Sequence, residues 1–278
     1  MNNKYLIGAL LVLAGCVSHT NDSVTLRWNL SEGEQLRYSV SISEIPTDPH
    51  LAVHGIDLLN NSELREQIKH RLVNVKIPAP DFEARLIRHG GLIQASVLAV
   101  SPEYDAPPVN EDEAFRRRML ESRAGYIELL GHFSEEGQLQ DFFVKQKQRN
   151  LLNLFFSMPR LPVTPDSPWE LDVTLTEIGP GFYVQSADRV RKAYLEQVDE
   201  VDGERIAQIL YVIGEDVKGY FKQHVDNEEV PIASRVSHVA YGEFFIDKGQ
   251  WKNFTMIAYL SGTGLSQNES MTIYALRP

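Results

Sequence analysis

Alternation of apolar and polar positions dominates this chain. Residues 36–43 read Leu-Arg-Tyr-Ser-Val-Ser-Ile-Ser, and residues 169–176 read Trp-Glu-Leu-Asp-Val-Thr-Leu-Thr. A period of two is the mark of a strand with one face against a core. The tail alternates again from Met271 to Ala275. Asp202-Gly203 stands between two strand-like runs, residues 194–201 and 205–213, as in a two-residue hairpin. Glu136-Gly137 and Lys248-Gly249 mark two further turns. Three segments read instead as helices. From Ser62 to Leu72, Leu64, Ile68 and Leu72 recur four apart, and Asn60 with Glu63 resembles a capping box. Glu111-Asp112-Glu113 precede Arg116-Arg117-Arg118, the order a helix dipole favours, with Asn110 as the cap. Residues 147–158 (KQRNLLNLFFSM) are the most apolar helical segment, ended by Pro159 and Pro162.

The pattern also repeats. Residues 91–100 (GLIQASVLAV) align with 203–212 (GERIAQILYV), and residues 133–142 (FSEEGQLQDF) with 245–254 (FIDKGQWKNF). Both pairs are displaced by 112 positions (91 to 203, 137 to 249). Residues 36–45 (LRYSVSISEI) align with 169–178 (WELDVTLTEI), displaced by 133 (36 to 169), which leaves 21 extra residues in the first half between Ile45 and Gly91. Alternation and turn glycines recur in all β proteins, so chance likeness of hairpins is one reading. The shared displacement and the common order favour the other, an internal duplication.

Together these features predict an α+β, β-rich body. Two similar antiparallel β units, residues 25–145 with a helical insertion and residues 160–278, are bridged by an apolar helix at 146–159. They form curved sheets or a partly open barrel. This layout is similar to the half-barrel with an internal helix of periplasmic lipoprotein carriers and receptors. The run Leu161-Pro-Val-Thr-Pro-Asp-Ser-Pro-Trp169 also resembles a family of uncharacterised β-rich bacterial envelope lipoproteins, a likeness that implies no activity.

The start of the chain predicts an address. Lys4 is the lone charge before the apolar run 5–12 (YLIGALLV), which is too short for a bilayer span of ~20 residues. Leu13-Ala14-Gly15-Cys16 follows at once, and Cys16 is the only cysteine. This tetrapeptide resembles the lipobox of bacterial lipoproteins. The resemblance implies cleavage before Cys16, so that residues 1–15 are a signal peptide, and lipidation of the Cys16 sulfur. Palmitate or similar acyl chains would then hold the protein to the membrane, and two or three chains anchor stably. No Asp follows Cys16, which under the retention rule of enteric bacteria points to the outer membrane. Residues 16–24 read as a lipidated tether. An ordinary cleaved signal with an incidental cysteine is the alternative.

Composition narrows the partners. The chain has 278 residues, is 43% hydrophobic and 23% charged, and carries net charge −11. That is a globular composition, and acidic enough to be repelled by nucleic acid and anionic headgroups. A lone cysteine permits no internal disulfide, so the core alone must hold the fold.

Candidate chemistry is sparse. The sequence has no Gly-x-Ser-x-Gly, no Ser-x-x-Lys and no phosphate loop, so no catalytic residue, metal or cofactor is assigned. His50 and His54 stand four apart, but Pro46 and Pro49 break the helix that would bring them together. They read as solvated loop histidines, and His132 and His238 as packed or exposed strand residues. Arg116–Arg118 is balanced by its neighbouring acids. The most suggestive feature is the apolar helix. It is either a core helix or a plug over an apolar cavity, with Phe155, Phe156, Trp169 and Trp251 as candidate ligand-binding residues. The expected function is a non-catalytic, membrane-anchored envelope module that binds a partner protein or an apolar ligand. An envelope enzyme without a recognisable motif is the alternative.

Overall fold

A computed structural model describes residues 23–59, 61–101, 107–144, 154–165, 167–173, 175, 181–222, 228–263 and 268–278. Residues 1–15, Cys16, most of the tether, Asn60 and residues 147–153 of the apolar helix lie outside these.

The alternating segments become strands: β1 (Gln35–Ile45), β2 (Phe82–His89), β3 (Leu92–Ala99), β4 (Ile127–Phe133), β5 (Leu139–Val144), β6 (Trp169–Glu170), β7 (Phe182–Val201), β8 (Glu204–Lys222), β9 (Glu229–Phe245), β10 (Gln250–Thr263) and β11 (Asn268–Arg277). Three helices intervene: α1 (Gly55–Leu58), α2 (Ser62–Asn74) and α3 (Glu111–Arg123). The helix caps follow local chemistry. The Asn110 side chain accepts from Glu113 N at 2.8 Å, and Asn61, one residue beyond the expected Asn60, accepts from Leu64 N at 2.9 Å.

All eleven strands form one antiparallel sheet in the order β5-β4-β3-β2-β1-β11-β10-β9-β8-β7-β6. It is not closed into a barrel. The first and last strands pair in its middle, Ser39 opposite Arg277 and Ile45 opposite Met271. β5 and β6, neighbours in sequence, stand at its two edges.

The tight turns gather at one end. Gly90 and Gly91 join β2 to β3 with φ of 60° and 83°, and Asp202 and Gly203 join β7 to β8 with φ of 54° and 80°. Both dipeptides are left-handed at both positions, as a two-residue hairpin requires. Their registers correspond, His89 opposite Leu92 and Val201 opposite Glu204. The segment before β1 crosses this end. Gly33 N donates to Arg88 O, Asn29 N to Gly249 O and Trp28 N to Glu135 O. Farther along, Val24 forms an antiparallel bridge with Val163.

The sheet is covered on both faces. On the inner face Leu26, Trp28, Leu154, Phe155, Phe156 and Val173 join the inward side chains of the strands in the larger core. On the outer face Leu51, Leu58, Ile68 and Leu72 of the 48–80 excursion cover β7–β11, against Val190, Leu210, Val212, Val239, Ile257 and Ile273. β8 therefore runs apolar on both faces, with residues 206–207 and 209–215 all buried. α1 docks backbone to backbone. Gly55 N donates to Ser237 Oγ at 2.9 Å, and a Cβ on Gly55 would stand 2.6 Å from Ile213 O. Gly214 lies directly beneath and admits this approach because it has no side chain.

The strand expected over residues 169–176 is shorter in the sheet. β6 is two residues long, and one further bond, Leu171 N to Arg191 O, extends its pairing. Beyond it Val173 is buried in the inner core. Leu171 is buried too and Asp172 between them is exposed, so the alternation of faces continues where the ladder pairing has stopped.

Candidate functional site

One concavity lies at the edges of the sheet. A cleft of about 710 Å3 lies between the β4–β5 turn and the start of β6. Glu136–Leu139 form one wall, Trp169–Asp172 the other, and Ser157–Val163 the remainder. Its apolar lining includes Met158, Leu161, Pro162 and Trp169, with Glu136, Arg160, Glu170 and Asp172 as the charged groups. Leu161 is 76% exposed, a large apolar side chain presented to solvent at the cleft. Trp169 is partly buried and meets Tyr211 edge-on at 6.3 Å between ring centroids.

The sequence grouped Trp169 with Phe155, Phe156 and Trp251. The structure places the last three deeper. Phe155, Phe156 and Trp251 are all buried, around a helical turn at residues 154–156. Two indoles hold this turn. Trp28 Nε1 donates to Phe156 O, and Trp251 Nε1 to Phe155 O, both at 2.9 Å. Carbonyls at a helix C-terminus have no partner within the helix, so each bond satisfies a buried acceptor. The rings interlock as well. Phe156 stacks on Phe133 at 4.9 Å, and Phe155 meets Phe254 edge-on at 4.8 Å. Trp28 stands in the alternating run Val24-Thr-Leu-Arg-Trp-Asn-Leu30 and is an aromatic that such a helix could pack against, but only the structure brings its indole to the Phe156 carbonyl.

A second cluster lies on the inner face of β7–β9. The buried Glu215 carboxylate pairs with Arg191 at 2.7 Å and lies 3.7 Å from Arg189. Tyr211 OH and His238 Nδ1 are enclosed with no hydrogen-bond partner among the described residues. Burial pushes the His238 pKa down to about 4, against the opposing pull of the Glu215 charge. Groups of this kind can serve chemistry, but these do not line the cleft beside β6.

The burial of His238 has a consequence for stability. Its folded pKa lies below its ordinary 6.5. As the pH falls from about 6.5 towards 4, the unfolded chain takes up a proton before the folded one does, so stability declines over that window. His238→Leu is expected to flatten the decline, read as the denaturation midpoint against pH. An identical decline in the variant would assign the acid sensitivity to other groups.

The remaining histidines separate. His50 is exposed, as expected, but His54 is only 3% exposed. That corrects its reading as a solvated loop residue. The docking of Gly55 onto Ser237 draws His54 against the sheet, and burial lowers its pKa. His132, half-buried in β4, pairs with Asp141 at 2.9 Å. Among the described residues no group of three or more His, Cys, Asp or Glu is placed to hold a metal, and no helix is long and apolar enough to cross a membrane.

No known protein family matches the chain, and no curated protein matches it significantly.

Proposed function

We propose that this chain is a lipid-anchored envelope lipoprotein whose body is a non-catalytic binding module, taking a partner protein or an apolar ligand at the cleft between β5 and β6. The observation that carries the binding role is that cleft. It is about 710 Å3, within the ordinary range for ligand sites, and it exposes Leu161 and Trp169 beside a few charged groups. The anchor rests on Leu13-Ala14-Gly15-Cys16. The bridge between Val24 and Val163 supports the two being near one another, because Val163 lines the cleft. The seven residues from Val17 to Ser23 span at most ~25 Å. An anchored Cys16 therefore holds the cleft close to the bilayer, at the tight-turn end of the sheet.

The opposite end favours a protein among the partners. It carries exposed Phe115, Met119, Tyr126, Ile127, Tyr183 and Val184, and β7 alone is 20 residues long, roughly 65 Å at ~3.3 Å per residue. With the tether at the turn end, an upright body holds this apolar surface beyond reach of its own membrane.

We read the body as two related units bridged by the apolar helix. Strands β1–β5 and β6–β10 follow one another in the same spatial order. The two left-handed hairpin turns have matching registers. Both later turn glycines are pressed by a crossing segment. A Cβ on Gly249 would overlap Asn29, and one on Gly137 would overlap Phe156 O. Each unit's leading segment thus seals the turn of the other.

Native mass spectrometry of the full protein, extracted in mild detergent, tests the binding role. A co-purifying molecule is expected, lost when Leu161→Asp and Trp169→Ala are combined. A body that emerges bare in both forms sinks the proposal.

A further inference from the structure

We infer that the exposed face of α3 is a pairing surface for a second copy of this chain, the two helices meeting antiparallel across a two-fold axis beside Arg117. This rests on the reading above of the end opposite the tether as a protein-facing surface, and it names the protein. α3 joins β3 to β4 at that end. It is 13 residues long, a length at which an isolated helix is marginal in water and gains its stability from a packed face. Yet no described side chain of α3 is buried, and none belongs to either core. Its own bonds account for its start and one flank. Asn110 caps Glu113 N, the Glu113 carboxylate accepts from Val109 N at 2.8 Å, and Glu113 pairs with Arg117 at 2.6 Å. They do not account for Phe115 and Met119, which are 60% and 48% exposed and stand four apart on one side of the helix. Tyr126, whose N–H donates to Arg123 O at 2.9 Å, and Ile127 continue the exposed apolar positions directly after the helix.

This face is self-complementary. Phe115 and Met119 stand two residues either side of Arg117, with Asp112 and Arg123 five and six residues out. At about 100° per residue, Asp112 and Arg123 fall within roughly 40° of Met119, on one flank. A two-fold axis brings a surface against itself, so like flanks meet in reversed order. It lays Phe115 over Met119 of the partner subunit at two equivalent places, a thioether–aromatic contact. It also sets Asp112 beside Arg123 of the partner subunit at both ends. Arg123 is already positioned, because it donates to the buried Glu128 carboxylate while its own side chain stays 40% exposed. A guanidinium has more donors than one carboxylate uses. The net charge of −11 opposes the approach of two copies, but at physiological ionic strength that repulsion is screened beyond about 8 Å, whereas the paired charges are in contact. An unrelated partner would have to supply apolar groups and both charges in this order; a second copy has them by symmetry. The patch is at the small end of specific interfaces, below about 1,200 Å2 in total, so the pair is weak and depends on concentration.

Sedimentation velocity of the full protein in mild detergent, over a wide range of concentration, is expected to show a monomer that passes into a dimer. Phe115→Asp, at an exposed position, is expected to weaken the dimer on the order of tenfold with an unchanged melting temperature. With Phe115 replaced by a photoreactive phenylalanine, and half the copies isotopically labelled to mark links between chains, crosslinks are expected around Met119 of the partner subunit. A chain that stays monomeric throughout, a dimer untouched by Phe115→Asp, or crosslinks that join chains elsewhere would overturn the inference. The same photoreactive variant used in cells reads the alternative. Links to a different protein, with a purified chain that stays monomeric, refute self-pairing and leave this end as a protein-binding surface. A dimer that forms while native mass spectrometry finds the body bare has the opposite meaning: self-pairing stands and the binding role of the cleft falls.

Discussion

Trp28→Ala is expected to destabilise the protein by about 3–5 kcal/mol, the range for deleting a large buried aromatic. Trp28 has no exposed surface. Its ring stands edge-on to Phe133 of β4 at 5.5 Å and to Phe244 of β9 at 6.0 Å, so one side chain joins strands from the two flanks of the sheet. Its Nε1 also satisfies the Phe156 carbonyl. Truncation opens a cavity where the crossing segment, the helical turn and both flanks meet, and it leaves that carbonyl buried without a donor. Trp28→Phe separates the two effects. It keeps most of the apolar contact and loses the hydrogen bond, for an expected cost of about 1–3 kcal/mol. Chemical denaturation of the three proteins measures both. A loss below about 1 kcal/mol for the alanine variant would mean that the segment before β1 is not part of the core.

Cys16→Ser is expected to abolish membrane anchorage. Only a thiol can take the acyl group at this position, and the chain has no second cysteine to substitute. The acyl chains supply the attachment at about 0.8 kcal/mol per buried methylene, whereas a body of this acidity gains nothing from anionic headgroups. The precursor should remain uncut, or the mature body should move from the membrane pellet to the soluble fraction. Fractionation after a high-salt wash, with the intact mass of the wild-type N-terminus, reads the result. A variant that is processed and still pellets, or a wild-type protein without acyl mass on Cys16, would remove the anchor from the proposed function.

Local elements were legible because their causes are local. The left-handed dipeptide Asp202-Gly203 marks its hairpin wherever it occurs. Asn110 caps α3 because its side chain reaches an amide three residues on. Ile68 and Leu72 fall on the buried side of α2 because helical spacing puts them there. Of the candidate site, Trp169 was found at the cleft, since aromatic residues in a strand signal packing or recognition. The cleft itself was not legible. It is assembled from the β4–β5 turn, residues 157–163 and the start of β6, which no single stretch of sequence brings together. His54 was misread for a similar reason. Its neighbours in sequence are those of a loop, and only the sheet beneath Gly55 buries it.

The sequence by itself determined the strand and helix types, the turn chemistry, the acidic surface and the expectation of an anchor at Cys16. Each follows from periodicity, backbone preference or side-chain chemistry carried by a few adjacent residues. The tertiary structure alone decided that β1 pairs with β11, that the 48–80 excursion covers the outer face of β7–β11, and that Trp28 and Trp251 hold consecutive carbonyls of one helical turn. Backbone ladder groups are the same in every strand, so they cannot specify which strand comes next. That choice falls to the burial of whole faces, which is shared among segments hundreds of residues apart and belongs to no single stretch of the chain.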